Sequence, residues 1–247
     1  MCYRYSIQSD ATVLTSRFHT TVQEPLEKRY HVGAFDQTLL PVIASEQPTR
    51  IQLFSWGLIP PWVHTSTQAQ DIRKKTVNAR AETIYEKPAF RHAALNNHCL
   101  VLADGFFEWH EYLGRKFPYY IRLPSQEPFA MAGLWEPWKH PLTGELMKTY
   151  TIITTEANTM MQTIHNTKKR MPVILKKTVE PQWLTTGLTR EQALPMLAPL
   201  DDGLLEAFTI SKLLTTKEKN LNVPEVLQPY HYPGVRPRYE PENYISH

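Results

Sequence analysis

The stretch Leu100-Val-Leu-Ala-Asp-Gly-Phe-Phe-Glu-Trp109 indicates the fold class of this chain. A short apolar run leads through a glycine into an aromatic run, a composition typical of successive β-strands. Similar runs on both sides predict further strands. Leu142-Thr-Gly-Glu145 predicts a turn between the strands at 129–135 and 150–154. The predicted strands beyond the opening stretch cover residues 51–56, 118–123, 129–135 and 150–154.

Two segments predict helices. Residues 156–164 follow Thr154-Thr155, which can cap a helix, and residues 189–197 begin at a threonine, although Pro195 weakens that pattern. Without repeats or linkers, the chain is expected to form one α+β domain on a mixed, mainly antiparallel sheet or barrel-like core with flanking helices. We assign residues 1–229 to this domain. Residues 230–247 are rich in proline and predict an irregular tail that packs on the domain or trails from it.

Composition sets the broad class of protein. The 247 residues are 42% hydrophobic and 21% charged, as in an ordinary globular protein, and a net charge of +3 permits an anionic partner. Two cysteines cannot build a disulfide scaffold, and neither a signal peptide nor a membrane span is evident. We therefore expect a cytoplasmic protein. The sequence lacks cysteine and histidine residues at spacings typical of zinc sites, and it lacks glycine-rich phosphate loops and dinucleotide motifs. No metal and no cofactor is therefore expected.

Cys2 is the first candidate for reactivity. Removal of Met1 would leave an α-amine and a thiol on one residue, and both titrate close enough to neutrality to be partly available as nucleophiles. An aldehyde could form an imine with the amine and then close a five-membered thiazolidine ring through sulfur. The alternative is that cysteine stands at position 2 by chance.

Three polar residues lie in settings that could support such chemistry. Strand alternation puts Glu108 on the face opposite its aromatic neighbours, where enclosure would raise its pKa and make it a proton shuttle; the alternative is a solvent-facing residue. His165 could transfer a proton or hold an oxygen, or simply end a helix. Asn78 could orient the amine of Cys2; the alternative is a turn residue or a hydrogen bond at the end of a sheet.

Other residues suggest contacts with an anionic or aromatic ligand. Arg80 lies two residues from Asn78 and could bind a phosphate, or instead form a salt bridge with Glu82 or another carboxylate. The basic runs 73–75 and 168–170 flank the candidate segments but could be ordinary solvated surface. Trp62 follows a proline-stiffened loop and could stack on a base or lie in the core. Cys99 starts an apolar strand and predicts a core residue.

Taken in order, the motifs resemble the SOS-response-associated peptidase (SRAP) family, also described as abasic-site processing proteins. The resemblance extends from Cys2 to about residue 229. It rests on Met-Cys at the N-terminus and on five later motifs: Trp-Gly-Leu-Ile-Pro-Pro-Trp (56–62), Asn-Ala-Arg-Ala-Glu-Thr (78–83), Ala-Asp-Gly-Phe-Phe-Glu-Trp (103–109), Thr-Thr-Glu-Ala-Asn (154–158) and His165 with Arg-Met-Pro (170–172).

The resemblance implies a sensor of abasic sites in single-stranded DNA. The trimmed cysteine reacts with the ring-opened sugar aldehyde and gives a thiazolidine DNA–protein crosslink that protects the lesion. This lyase-like chemistry assigns catalysis to Cys2, Asn78, Glu108 and His165. It implies DNA contacts for Arg4, Trp62, Arg80, Trp109, Thr155, Lys168, Lys169 and Arg170.

The expected partner is single-stranded DNA that contains abasic sites, and no membrane or metal is expected to take part. The protein is expected to be a monomer that lies at the nucleoid when it is bound to DNA. Family members are also described as peptidases that remove their own N-terminal residues. An autopeptidase with an N-terminal nucleophile and a non-enzymatic single-strand binder are therefore the alternative functions.

The chain departs from the family pattern in three places. Thr167, Lys168 and Lys169 lie between His165-Asn166 and Arg170, which leaves open which of the three basic residues contacts a phosphate. Leu102 replaces a common proline and Phe107 a common tyrosine, so a hydroxyl group is missing beside Glu108.

Overall fold

A computed structural model of the chain describes residues 2–215 and 220–241. Strands dominate this part of the molecule, in line with the many apolar and aromatic runs. The strands are β1 (Arg4–Ile7), β2 (Thr21–Val22), β3 (Arg29–Gly33), β4 (Leu39–Ala44), β5 (Arg50–Trp56), β6 (Asn78–Arg80), β7 (His98–Ala103), β8 (Gly105–Tyr112), β9 (Arg115–Arg122), β10 (Phe129–Lys139), β11 (Leu146–Glu156), β12 (Arg170–Pro172), β13 (Glu206–Thr209) and β14 (Arg238–Tyr239).

The helices are short and lie between the strands. They are α1 (Ala11–Phe18), α2 (Ser66–Arg73), α3 (Arg91–Asn96), α4 (Thr159–Ile164), α5 (Glu180–Trp183) and α6 (Arg190–Ala193), with 3-10 turns at Ala81–Thr83, Leu194–Leu197, Asp202–Leu204, Lys212–Thr215 and Pro224–Leu227. Within the described ranges, no helix is long and apolar enough to cross a membrane.

Five strands close into a barrel. The antiparallel neighbours run β5-β4-β7-β10-β11, and parallel pairing of β11 with β5 joins the two ends. Closure satisfies the backbone groups that an open edge would leave unpaired. A second sheet has the order β14-β13-β9-β8-β1-β3. The predicted α+β class with a mixed, mainly antiparallel, barrel-like core is confirmed.

The chain passes from the barrel to the second sheet at Asp104-Gly105. The Asp104 carboxylate accepts hydrogen bonds from the backbone amides of Gln8 (2.5 Å) and Ser9 (2.9 Å), which ties β7 to the end of β1. A Cβ on Gly105 would lie 2.3 Å from the Tyr120 ring. The close approach of β8 and β9 therefore requires glycine at this position.

Both helix predictions are correct in place but wrong in extent. Strand β11 continues to Glu156 because β12 pairs with its end, and α4 begins only after Asn158, whose side chain accepts from the amide of Met161. The cap is therefore Asn158 and not Thr154-Thr155. Thr189 caps α6 as predicted, but the helix stops at Ala193 and a 3-10 turn continues through Pro195.

The C-terminal segment contains a strand where the sequence predicts irregular chain. Strand β14 pairs with β13, the Tyr230 amide donates to the Thr209 carbonyl, and the Tyr232 hydroxyl donates to the Ile210 carbonyl. Backbone pairing thus extends past residue 229. Residues 242–247 of the predicted tail lie outside the described residues, and the domain boundary stays a prediction.

Candidate active site

Cys2 lies two residues before the start of β1 and is fully buried. Its Asn78 neighbour donates a hydrogen bond from Nδ2 to the Cys2 carbonyl oxygen at 2.8 Å. Burial raises the pKa of the Cys2 thiol to about 12, and the negative charge of Glu108 adds to that rise. The sulfur is therefore a protonated thiol at neutral pH, and a weak nucleophile in this state.

Asn78 is held by the barrel. Strand β6 pairs in parallel with β11, where Asn78 lies opposite Ile152. Its Oδ1 is buried, and within the described residues it has no hydrogen-bond partner. The amide thus fixes Cys2 with its donor and keeps a free acceptor beside the N-terminal end of the chain.

Glu108 lies on the face of β8 that the strand alternation predicts. Phe107 packs in a separate apolar cluster with Tyr120 and Phe208, while the Glu108 side chain is turned away from it and is 4% exposed. Antiparallel pairing of Tyr5 with Phe106 directs the start of β1 toward residues 107–109. Burial raises the pKa of the Glu108 carboxyl to about 8, so the group is mostly protonated at pH 7.

His165 completes a buried acid–base pair. Its Nδ1 lies 3.7 Å from Glu108 Oε2 and donates to the Arg170 carbonyl oxygen at 2.8 Å. Burial lowers the pKa of His165 to about 4, so the ring is neutral at pH 7. With the proton on Nδ1, the other ring nitrogen, Nε2, is left as a hydrogen-bond acceptor. The pair can therefore give a proton from one member and accept one at the other.

A groove of about 650 Å³ opens at this pair. Trp109 stands in it, half-buried, with the Arg4 guanidinium 5.3 Å from its ring centre. The groove joins the acid–base pair to cationic and aromatic side chains from segments far apart in the sequence. Its lining includes Tyr3, Arg4, His31, Gly33, Ala34, Phe35, Asp36, Glu108, Trp109, Glu111, Lys116, His165, Thr167, Lys168 and Leu221.

Arg4 is oriented by two further contacts. Its Nη1 lies 3.3 Å from the Leu214 carbonyl oxygen and 3.3 Å from His31 Nε2. Burial, with the nearby Arg4 charge, lowers the pKa of His31 to about 4, so this histidine is neutral and accepts from Arg4. His31 was missed by the sequence analysis, because a single histidine in β3 has no motif that distinguishes it from a core residue.

The predicted basic residues occupy different environments. Arg170 forms a two-point ion pair with Glu82, at 2.5 and 3.0 Å, and donates to the Thr154 carbonyl at 2.6 Å. Glu82 therefore pairs with Arg170. The sequence suggested Arg80 as a partner of Glu82, but the structure leaves Arg80 exposed. Lys168 lines the groove. Lys169 has a positive φ of 50° that turns the chain toward β12.

Two other predicted DNA contacts lie outside the groove lining. Trp62 is 50% exposed and donates from its indole to the Pro88 carbonyl at 3.2 Å, so the proline-rich loop presents its ring at the surface. Thr155 is buried in β11, opposite Met171 of β12. The structure brings together Cys2, Asn78, Glu108 and His165, and it places Arg4, Trp109 and Lys168 in the groove lining. The catalytic roles of the first four residues stay predictions, as do the DNA contacts of all eight residues for which they are expected.

The geometry defines a class: a single α+β domain with a buried cysteine at position 2, held beside a carboxyl–imidazole pair that lines a groove. The family model "SOS response associated peptidase (SRAP)" matches residues 1–217. The chain belongs to this family.

Relatives and solved structures agree. The Bacillus subtilis "abasic site processing protein YoqW" is 36% identical over 92% of this chain and 99% of its own length. The Xenopus tropicalis "abasic site processing protein HMCES" is 33% identical over 60% of this chain and 49% of its own. A crystal structure from Bacteroides thetaiotaomicron superposes with a TM-score of 0.86 at 37% identity, covering 92% of this chain and 99% of that one.

Proposed function

We propose that the protein processes abasic sites in single-stranded DNA by forming a covalent crosslink through Cys2 after Met1 is removed. The observation that carries this proposal is the position of Cys2, held by Asn78 and adjoining the Glu108–His165 pair at the groove. The names of the relatives support abasic DNA as the substrate. The site of action is then the cytoplasm, at the nucleoid, and the protein acts as a monomer.

The two nucleophiles act in sequence. The buried thiol is protonated and weak, whereas an α-amine has a pKa of about 8 and is partly neutral at physiological pH. The amine attacks the C1′ aldehyde of the opened sugar, and the resulting carbinolamine loses water to give an imine. The thiol sulfur then adds to the imine carbon and its proton passes to nitrogen. The net change is aldehyde plus aminothiol to thiazolidine plus water.

The acid–base pair serves the proton transfers. Protonated Glu108 can donate to the sugar ring oxygen as the ring opens, or to the departing hydroxyl of the carbinolamine. Neutral His165 can accept a proton through Nε2, because Nδ1 is held by the Arg170 carbonyl. The free Oδ1 of Asn78 can accept a hydrogen bond from an N–H of the amine. This contact directs the lone pair of the amine nitrogen at the aldehyde carbon.

A denaturing gel tests the proposal directly. Met1-trimmed protein is mixed with a single-stranded oligonucleotide carrying one abasic site, and a shifted band is expected. Cys2→Ala should abolish the stable product. Cys2→Ser keeps the amine, so it should give an imine that is trapped only by a hydride reductant. Cys99→Ala, which changes the second buried cysteine, is the matched control and should crosslink like wild type.

Two outcomes would overturn the proposal. A stable crosslink with Cys2→Ala would remove the cysteine from the chemistry. Equal affinity for intact and abasic strands, with no covalent species, would mark a simple single-strand binder. Intact mass of the wild type and of His165→Ala separates ordinary trimming of Met1 from self-processing, because only self-processing would leave Met1 on the variant.

A further inference from the structure

Two exposed aromatic rings stand beside the proposed reactive residue and have no part in its chemistry. Tyr3, which follows Cys2, is 38% exposed, and Phe35, in the loop after β3, is 59% exposed. Their ring centres are 6.2 Å apart and their planes are tilted by 31°. Both line the groove. Together they leave a continuous apolar surface next to Cys2.

The loop that carries Phe35 is braced. The Ala34 amide donates to the Tyr3 carbonyl at 2.9 Å and so links the two ends of the pair. The Asp36 amide donates to the Gly33 carbonyl at 3.1 Å, and the Asp36 carboxylate accepts from the Gly33 amide at 2.6 Å. Because the turn is fixed by these bonds, the aromatic surface is formed before any ligand arrives, and little ordering cost remains for binding.

We propose that Tyr3 and Phe35 form a stacking platform for the nucleobase next to the abasic nucleotide. This inference rests on the proposed function of the groove. The rings are too close for a base to insert between them, since two stacking contacts need about 7 to 8 Å. The base therefore covers their exposed faces. The abasic nucleotide has no base, so its intact neighbour supplies the stacking energy that holds the sugar near Cys2.

Positive charge continues beyond the platform. Ala34 and Phe35 also line a second cleft of about 440 Å³, whose other lining residues are Gln37, Trp56, Gln70, Arg73 and Lys74. Arg73 is used internally, since it donates to the Ser55 hydroxyl and the Trp56 carbonyl. Lys74 lies 4.0 Å from Asp71, with both side chains exposed, a pair that water screens well. Lys74 is therefore placed to hold a phosphate of a strand that leaves the platform.

The platform makes a defined demand on the substrate. Every base has an aromatic face, so stacking does not select sequence. It requires that the lesion have an intact neighbour. An isolated abasic site is therefore captured more efficiently than a site flanked by a second baseless nucleotide on the platform side.

Binding to unreactive strands tests this inference. Each strand carries a tetrahydrofuran at the lesion, which has no aldehyde, and has either both neighbouring bases or a second tetrahydrofuran on the 5′ or the 3′ side. Wild type should bind the strand that lacks the stacking neighbour about 5- to 150-fold more weakly. Phe35→Ala should weaken binding of the strand with both neighbouring bases by a similar factor. It should not change binding of the strand that lacks the stacking neighbour.

The controls separate stacking from other effects. Phe35→Trp should retain the preference for an intact neighbour, and Leu142→Ala, an exposed apolar change in the β10–β11 turn, should not alter it. Equal loss on all strands with Phe35→Ala, or no loss, would overturn the platform. Failure of the proposed function shows itself separately: wild type would then form no crosslink with an aldehyde-bearing strand, whatever its neighbours.

Discussion

Burial changes the chemistry of Glu108. A carboxyl on a strand between two aromatic residues could face water, but the structure buries it and raises its pKa to about 8. Its proton is therefore still present at physiological pH, where an exposed glutamate would have lost it. The same burial keeps the imidazole of His165 neutral.

Substitution of Glu108 should change both the rate of crosslinking and its dependence on pH. Glu108→Gln cannot donate a proton, so the rate should fall by about 100-fold or more at pH 7. In wild type the rate should decline as pH rises through 8 and the carboxyl ionises. In the variant it should instead keep rising as the α-amine loses its proton. Initial rates between about pH 6 and 10 check both trends.

Stability provides a second readout for the same variant. A raised carboxyl pKa means that the folded state holds a proton that the unfolded state has released between the usual value of 4.5 and about 8. Its contribution to stability is present below pH 4.5 and is lost as pH rises through 8. At pH 9, Glu108→Gln should therefore be more stable than wild type by about 1 kcal/mol or more in the free energy of unfolding, measured by urea titration. At pH 4.5 the variant and wild type should unfold at similar urea concentrations. A variant less stable than wild type at pH 9 would contradict the assignment.

At the level of elements, the turn from β7 to β8 sets the position of Glu108. Residues 98–103 belong to the barrel and residues 105–112 to the second sheet. Asp104 binds the backbone after β1, and Gly105 allows Tyr120 to cross close above it, where its hydroxyl lies 2.8 Å from the Ser6 hydroxyl. The site therefore depends on contacts of Asp104, Gly105 and Tyr120, none of which is itself a reactive group.

Gly105→Ala should destabilise the fold. The new methyl group would lie 2.3 Å from a buried ring, and relief of the clash requires β8 or β9 to move. We expect a loss of about 1–3 kcal/mol in the free energy of unfolding, with a slower crosslinking rate because Glu108 shifts with β8. Gly203→Ala is the matched control, because nothing lies within 4 Å of its added Cβ. Equal stability of the two variants in urea titrations would argue against the close approach.

Over the whole molecule, charge is local. The net charge is only +3, and the groove lining mixes the cations Arg4, Lys116 and Lys168 with acidic residues. The other basic candidate near the site, Arg170, is engaged with Glu82 and Thr154. Electrostatic attraction for DNA is thus expected from few side chains, and the salt dependence of binding should be modest.

Removal of single groove lysines should reduce this salt dependence stepwise. Each phosphate contact contributes about 0.7 to the slope of log affinity against log salt for a single strand. Lys168→Ala and Lys116→Ala should each lower the slope by about that amount, measured on unreactive tetrahydrofuran strands. Lys177→Ala removes a surface cation that pairs with Glu127 outside the groove and should leave the slope unchanged. A slope insensitive to both groove variants would exclude these lysines as phosphate contacts.

Local pattern was sufficient for much of the fold. The apolar and aromatic runs predicted the strands 51–56, 118–123, 129–135 and 150–154. Each coincides with an observed strand, although β9 ends at Arg122, one residue before the predicted limit. Helix limits were less predictable, because the pairing of β12 with the end of β11 overrides the cap that Thr154-Thr155 suggests. Long-range pairing of this kind has no local signal.

The sequence by itself determined the family, the α+β class and the identity of the reactive candidates, because these depend on residue types and short spacings along the chain. Only the tertiary structure decided that Cys2, Asn78, Glu108 and His165 meet, that Arg170 is committed to Glu82, and that Tyr3 and Phe35 form one exposed surface. The physical reason is that burial and proximity between distant segments set protonation and available charge, and both arise only when the barrel and the second sheet pack together.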